Sequence, residues 1–288
     1  MNGISCSRWG FVLGLLACLL LLPDAANAQE PASSDAAAAA EMARKLQDPL
    51  ANIKALMTDN DINFNTGTDE DEVSYGFQLQ PVYAIPFEKQ GFNLVNRAVI
   101  PILGVAPGGQ KSILGEPLPA GGSHTWGLSD SLLQFFFSPR TDDPWKWGVG
   151  PMVSLRTRTD YDLAGPGWGG GIGAVLVGNI GEHVSTAFIG GHVWGNEDGF
   201  STSMLQPMIF YNLPNAWNIH YNNMITYDWN ADSGGNGWTV PLGAAVGKMF
   251  NVGGGHGIEL FVGPYYSVVR PDGAAEWALK FGLNWLIP

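Results

Sequence analysis

The last stretch of the chain, residues 276 to 287, alternates between two kinds of side chain almost without exception. One parity is large and apolar: Trp277, Leu279, Phe281, Leu283, Trp285 and Ile287. The other is mainly small or polar: Glu276, Ala278, Lys280, Gly282, Asn284 and Leu286. Since successive side chains of a strand point to opposite faces, the stretch predicts a β-strand with one apolar face. The same pattern recurs in segment after segment, which favours apolar faces toward lipid and polar faces toward a lumen.

The composition points to the same environment. Charged residues form 14% of the chain, against about 25% in typical soluble domains, so charge is too sparse to cover a water-facing surface. The net charge of −12 argues against a nucleic-acid partner, because such partners require basic side chains against phosphates. No segment after residue 28 offers the roughly 18 consecutive apolar residues of a membrane helix. A β-barrel remains as the fold that satisfies all backbone groups in lipid.

Residues 1 to 28 predict a signal peptide for secretory export. Arg8 provides the positive start, residues 11 to 22 the apolar run, and residues 26 to 28 (ANA) the cleavage site. Both cysteines, Cys6 and Cys18, lie in this segment. The mature chain is therefore expected to have no disulfide, no thiol nucleophile and no cysteine metal site, and we expect no metal and no cofactor.

Residues 29 to 58 predict a helical periplasmic arm, or a plug of the barrel. Apolar side chains recur there at helical spacing, at Met42, Leu46, Leu50, Ile53 and Met57. Pro49 should interrupt the helix, and Asp48 should cap a second short one. The barrel itself is then expected over residues 59 to 288.

From residue 60 onward the chain divides into segments of strand length, each bounded by Gly, Pro, Asn or Asp. Twelve segments are predicted, at about 60 to 67, 72 to 87, 92 to 104, 124 to 138, 146 to 158, 166 to 180, 183 to 195, 201 to 212, 216 to 229, 237 to 249, 256 to 269 and 274 to 287. An even number places both termini on the periplasmic side. The expected fold is all-β: a transmembrane antiparallel β-barrel of about twelve strands with a short N-terminal helical arm, in the bacterial outer membrane.

Tryptophans fall near the predicted strand ends, as in the aromatic girdles of membrane barrels. The outer rim is expected to carry Trp126, Trp168, Trp194, Trp229, Trp238 and Trp277, and the inner rim Trp145, Trp147, Trp217 and Trp285. The expected partners are therefore outer-membrane lipid and a small solute. The spacing Lys280-x-Gly282-x-x-Trp285-x-Ile287 also resembles the C-terminal signal that the outer-membrane insertion machinery reads.

Several segments resemble a bacterial family of outer-membrane β-barrels, regarded as transporters and labelled "MetA-pathway of phenol degradation". The matching segments are LQPVYAIPF at 79 to 87, RAVIPI at 97 to 102, GLSDSLLQFFFSPR at 127 to 140, WGVGP at 147 to 151, LQP at 205 to 207, TYDW at 226 to 229, WTVPL at 238 to 242, and residues 270 to 288. The resemblance implies an outer-membrane barrel with a transport role. It brings no catalytic motif, and the label alone does not establish a phenol substrate.

Strand parity predicts which polar side chains line the lumen. The candidates are Gln78, Gln80, Arg97, Asp130, Gln134, Arg156, Arg158, Gln206, Asn218, His220, Asn222, Asp228, Glu259, Glu276 and Lys280. A charge on the lipid face near the bilayer centre costs about 2–4 kcal/mol, which drives such groups inward. Each of them either fills the barrel by pairing with another or lines a polar path.

The function predicted from this pattern is a porin-like channel or transporter for passive passage of a small solute, with hydrophobic and aromatic solutes as candidates. The alternative is a non-transporting structural or surface-binding barrel whose interior is filled by its own charge pairs. An enzyme is not expected. His183 and Ser185 share a strand face as in barrel phospholipases, but no Asn-Gly follows them, so the match is weak.

Overall fold

The computed structural model describes residues 34–107, 123–231 and 237–288. These residues form one antiparallel sheet that closes on itself, because the first strand pairs with the last. The predicted fold class is confirmed: the chain is a closed twelve-stranded antiparallel β-barrel with one short N-terminal helix. The predicted signal peptide lies outside the described residues.

In the described residues, fifteen strand segments build the twelve barrel strands, because three barrel strands are each divided in two. The elements are α1 Ser34–Leu46, β1 Lys54–Thr66, β2 Glu72–Phe87, β3 Phe92–Val105, β4 Thr125–Leu128, β5 Ser131–Pro139, β6 Trp145–Leu155, β7 Gly169–Ile180, β8 Val184–Gly195, β9 Ser201–Asn212, β10 Trp217–Asn222, β11 Ile225–Asp228, β12 Trp238–Gly243, β13 Ala245–Gly253, β14 His256–Val269 and β15 Trp277–Ile287. The divided strands are β4 with β5, β10 with β11, and β12 with β13.

The start of the barrel differs from the prediction. β1 begins at Lys54 rather than residue 60, so residues 54 to 58 are not part of a helical arm. The prediction of a second short helix is also wrong. Residues around Asp48 form a turn instead, in which Asp48 Oδ1 accepts a hydrogen bond from the Leu50 amide 2.9 Å away. β2 and β15 both pair with β1. Their backbone hydrogen bonds stabilise the strand more than the weak helical spacing of apolar residues favours a helix.

The connections identify the two ends of the barrel. Next to the termini they are short, at 88–91, 140–144, 181–183, 213–216 and 254–255. At the opposite end most are longer, at 67–71, 106–124, 156–168, 196–200, 229–237 and 270–276. Outer-membrane barrels have short periplasmic turns and longer extracellular loops, so the termini lie on the periplasmic side.

The outer surface of the barrel is apolar. Ile172, Val246 and Leu260 are 60%, 46% and 48% exposed, and their strand neighbours on the other face turn inward. The ten tryptophans assigned to the two rims lie at or near strand ends and are 38% to 63% exposed, as aromatic girdles require. This exterior and the barrel fold place the protein in the bacterial outer membrane.

Among the described residues, no helix combines the length and the hydropathy needed to cross a membrane.

Candidate functional site: the barrel lumen

The periplasmic half of the lumen is packed with apolar side chains. Inward-facing residues of β2, β3, β5, β7, β8 and β9 form one buried cluster with Leu50, which precedes β1. Its members on this side include Ala84, Val95, Phe136, Val177, Ala187, Met208 and Phe210. Buried side chains in such contact pack as a protein core does, so this half of the lumen is largely filled.

Helix α1 lies in the periplasmic opening. Its small buried residues Ala39 and Ala43, with Leu46, pack in one cluster with the inward-facing Met249 and Leu286. Polar contacts extend from the end of the helix and the turn after it to other parts of the rim. Arg44 Nη2 donates to the Glu182 carbonyl (2.8 Å), Gln47 Nε2 to Asn212 Oδ1 (2.9 Å), and Lys146 Nζ to Asp48 Oδ2 (2.8 Å). The helix is therefore held from several sides of the opening.

A polar layer crosses the middle of the lumen, and we call it the arginine layer: Gln80, Arg97, Gln134, Gln206 and Asn222. Arg97 donates to Gln80 Oε1 (2.7 Å), Gln134 Oε1 (3.3 Å) and Gln206 Oε1 (3.3 Å). Gln206 Nε2 donates in turn to Asn222 Oδ1 (2.8 Å). Since β3 and β9 are the third and eighth barrel strands, the Arg97–Gln206 contact joins opposite walls of the lumen.

Met152 fills the lumen beside this layer on the β6 to β8 side. Its sulfur lies 3.8 Å from Gln134 Nε2. Its methyl group occupies space left by the inward-facing Gly173 and Gly191, where a Cβ would clash with it. The glycines of β7 and β8 are thus required where a long side chain from β6 reaches across.

Charged side chains of β1 and β15 adjoin the layer. Lys280 Nζ lies 3.1 Å from Asp61 Oδ2 and 3.8 Å from Asp59 Oδ2. Gln80 Nε2 donates to Asp59 Oδ2 at 3.3 Å, which links the two groups. Lys280 thus pairs with two inward-facing acids and neutralises one of the two charges.

A second buried group lies on the periplasmic side of Lys280. Glu259 accepts hydrogen bonds from Asn218 Nδ2 (2.9 Å) and Asn284 Nδ2 (3.0 Å). His220 Nδ1 lies 2.7 Å from Asn218 Oδ1. Hydrogen-bonded networks of this kind make a core rigid, and the group is buried among the strands of this side.

A cavity of about 150 Å³ lies in the outer half of the lumen, directly above the arginine layer. One side of it is polar and carries Asp59, Asp61 and Lys280 of β1 and β15, while Arg97 lies at its floor. The opposite side is apolar and is formed by Val99, Leu103, Leu132 and Met204. The barrel thus holds an amphipathic space bounded below by hydrogen-bonded side chains.

The connection between β6 and β7, residues 156–168, folds onto the outer mouth. Asp130 Oδ2 accepts hydrogen bonds from Arg158 Nη1 (3.0 Å) and from the amides of Gly165 (2.9 Å) and Gly167 (2.8 Å). Arg158 Nη2 is also 2.6 Å from Glu197 Oε1. Since Asp130 and Arg158 are both buried, this ion pair fixes the connection to the barrel.

The structure distributes the fifteen candidate residues among four places. Seven line the cavity: Gln78, Gln80, Arg97, Gln134, Gln206, Asn222 and Lys280. Asn218, His220 and Glu259 form the buried group, and Asp130 and Arg158 lie in the outer ion pair. Arg156, half exposed and 3.8 Å from Glu197, Asp228 and Glu276 lie at the outer ends of strands. A direct role in solute contact stays a prediction for all of them.

Arg156 and Arg158 differ from their predicted setting, because β6 ends at Leu155 rather than residue 158. Both arginines belong to the connection that Asp130 holds, and Asp130 itself lies in the gap between β4 and β5. Parity along a strand therefore did not apply to these three residues.

Sequence reasoning missed Asp59 and Asp61. They face inward on β1, but the outward parity of that strand includes the polar residues Thr58 and Asn60. These are satisfied by neighbouring strands: Thr58 Oγ1 donates to the Leu283 carbonyl (2.8 Å) and Asn60 Nδ2 to the Phe281 carbonyl (3.2 Å). The signal that could have identified them is that Ala55, Met57, Asp59 and Asp61 occupy alternate positions, which places all four on one face of the strand.

Among the described residues, no group of three or more His, Cys, Asp or Glu side chains is placed to hold a metal ion.

No protein-family model and no curated protein matches the chain. Among solved structures, it is similar to an outer membrane channel from Pseudomonas putida F1, with a TM-score of 0.56 and 13% identity over 82% of this chain and 96% of that one. The NanC porin gives a TM-score of 0.49 and 10% identity over 81% and 99%. A FadL homologue from Pseudomonas aeruginosa gives 0.38 and 10% over 86% and 92%.

At such low identity these likenesses concern the fold, and only the first is strong enough to support an argument. The first agrees with the closed antiparallel β-barrel fold. They do not confirm the phenol-degradation label of the family that the sequence resembles.

Proposed function

We propose that this protein is an outer-membrane channel for a small solute, closed in the present conformation by two barriers. The outer barrier is the arginine layer, and the inner one is α1 with the apolar core next to it. The observation that supports this most is the cavity of about 150 Å³ that ends on side-chain hydrogen bonds rather than on packed backbone.

The arginine layer and α1 are of a kind that can move without breaking the barrel. The contacts between Arg97 and Gln206 are long, at 3.3 and 3.4 Å, and both side chains have several rotatable bonds. Helix α1 makes no strand pairing. The polar contacts that hold it are few, and alanines contribute much of its buried face. Segments with few apolar contacts open at lower free energy than the strands around them.

The alternative function, a barrel that transports nothing, is favoured by one observation. The periplasmic half of the lumen is packed as a core, and a solute that reached the arginine layer would meet Phe136 and Met208 beyond it. Conductance measurements on variants that loosen α1 separate the two proposals.

The test uses the ion pair between Asp48 and Lys146. In planar bilayers, the refolded mature protein is compared with D48K, K146D and the double variant D48K/K146D. Each single variant sets two like charges about 3 Å apart and should release the helix, whereas the double variant restores an opposite pair. We expect higher conductance from both single variants and a return toward the wild-type level in the double variant.

If all four proteins fold and none conducts, the channel proposal fails and the structural barrel takes its place. If the single variants conduct no better than the wild type while the wild type conducts, α1 is not the inner barrier.

We infer no covalent chemistry. Ser185 Oγ accepts a hydrogen bond from Asn212 Nδ2 (3.1 Å), and the His183 ring packs against Tyr211 with 6.1 Å between centroids. Neither contact activates a nucleophile. The variant S185A should leave lipid hydrolysis by the purified protein at background level, as in the wild type.

A further inference from the structure

Arg97 is an inward-facing cation whose direct partners are all neutral. The guanidinium donates to the amide oxygens of Gln80, Gln134 and Gln206. Charged side chains inside proteins are normally paired with an opposite charge. Amide oxygens satisfy the donors of Arg97 but do not neutralise it.

The other inward-facing cations of the described residues do have acidic partners within 4 Å. Lys280 lies beside Asp61 and Asp59, Arg158 beside Asp130 and Glu197, and Lys146 beside Asp48. Asp59 acts electrostatically on Arg97, yet its contacts go to Lys280 and Gln80. Within the part of the chain that the structure describes, Arg97 differs from these cations in lacking an ion pair.

Arg97 also lies where a ligand can reach it. It lines the cavity and is only partly buried. Val99, Leu132 and Met204 lie one step outward on the same strands as Arg97, Gln134 and Gln206. Hence an apolar wall begins immediately above the guanidinium, and the space offers a positive floor and an apolar side.

We infer that this cavity binds a small amphipathic carboxylate. The ligand carboxylate accepts hydrogen bonds from the Arg97 guanidinium and displaces the amide oxygens of Gln134 and Gln206. A bidentate contact between opposite charges is stronger than hydrogen bonds to neutral amides. The apolar body of the ligand lies against Val99, Leu132 and Met204. The inference rests on the proposed channel function and names the class of solute.

Binding of this kind would act on the barrier itself. Gln206 is the residue through which Arg97 reaches the opposite wall. A carboxylate that replaces its amide oxygen removes the contact that crosses the lumen. The ligand thereby opens the layer that stops it, whereas a neutral solute of the same shape leaves the layer closed.

The test is calorimetric titration of the full-length mature protein in detergent with four probes: benzoate, benzamide, benzylamine and acetate. We expect benzoate to bind at least about tenfold more tightly than benzamide, which has the same shape without the charge. Benzylamine should not bind detectably. Acetate, which lacks the apolar body, should bind more weakly than benzoate.

Variants locate the site. Q206E places a resident carboxylate next to Arg97 and should weaken benzoate binding at least about tenfold while retaining the arginine. R97Q should do the same by removing the charge. The matched control is R156Q, which also removes one positive charge from the barrel but acts on a half-exposed side chain outside the cavity. It should leave benzoate affinity unchanged.

Equal affinity of the wild type for benzoate and benzamide would overturn the inference, as would benzoate binding that survives Q206E in a folded protein. Loss of benzoate binding in R156Q would equally overturn it, since the effect would then be one of net charge. Benzoate binding without conductance refutes the channel and not the site. Conductance without benzoate binding refutes the site and not the channel.

Discussion

The two halves of the lumen are built from the same strands and filled in different ways. On the periplasmic side of the arginine layer, Val95, Phe136 and Met208 pack in an apolar core. On the outer side, the inward residues beyond the layer on the same strands, Val99, Leu132 and Met204, belong to the same buried cluster but also border a cavity. Packing therefore acts in both halves, and only the outer half also contains open space bordered by hydrogen bonds and ion pairs that can exchange partners.

The largest effect is expected from the packed half. Phe136 is 2% exposed, and F136A should lower the free energy of unfolding by about 3–5 kcal/mol because it leaves a cavity among immobile neighbours. L132A, on the cavity side, should cost less because part of its surroundings is already open. Urea unfolding in lipid vesicles, followed by tryptophan fluorescence, measures both. Equal losses would contradict the distinction between the halves.

The outer ion pair should rank second. D130A leaves Arg158 and two backbone amides without the carboxylate that they share, although Glu197 still lies 2.6 Å from Arg158. We expect a loss of about 3 kcal/mol, at the low end for breaking a buried pair. The connection at 156–168 should also become sensitive to protease, which unfolding alone does not report. D130N, which keeps one acceptor oxygen, should have a stability and a protease sensitivity between those of D130A and the wild type.

The arginine layer should contribute less to stability than to closure. Q206A removes the contact across the lumen and leaves Arg97 bound to Gln80 and Gln134. We expect a loss of about 1 kcal/mol, together with a measurable rise in single-channel conductance. Q90A, a change of the same size on an exposed residue of the turn between β2 and β3, should leave conductance unchanged.

The smallest effect concerns the outer connections. The Arg270 guanidinium donates to Glu70 Oε1 at 2.8 Å and lowers the pKa of that carboxyl below its ordinary 4.5. Because the folded pKa is depressed, the stabilisation is present above about pH 4.5 and is lost as pH falls through the folded value. For a pair exposed on the Glu70 side it amounts to at most about 1 kcal/mol.

E70Q should abolish this pH dependence. The measurement is the rate of protease cleavage in the outer connections between about pH 6 and pH 3. If E70Q and the wild type lose resistance in parallel on acidification, the Glu70–Arg270 pair is not responsible.

Strand boundaries were predictable where turn residues flank a clean alternation. The predicted spans 72 to 87, 201 to 212 and 256 to 269 agree with β2, β9 and β14 residue for residue. The predicted start of β1 was wrong, because Thr58 and Asn60 place polar groups on its outward face and cross-strand hydrogen bonds satisfy them. The predicted end of β6 was also wrong, because the strand ends at Leu155 and the following residues contact Asp130.

The candidate site was predictable in membership more than in arrangement. Parity indicated that Gln80, Arg97, Gln134 and Gln206 turn inward, because each face of a strand follows from local backbone geometry. It could not indicate that they meet, nor that Asn218 and Glu259 form a separate group. Parity also pointed inward for Asp59 and Asp61, but the polar residues on the other face of β1 obscured it.

The sequence by itself determined that the chain forms a membrane barrel and which side chains turn away from lipid, since alternation is a property of neighbouring residues. Only the tertiary structure decided which inward side chains meet across the lumen. Arg97 and Gln206 are 109 positions apart, and their contact depends on barrel diameter and strand register, which are set by closure of the whole sheet. The position of α1 in the opening depends on the same closure, because its partners come from strands throughout the barrel.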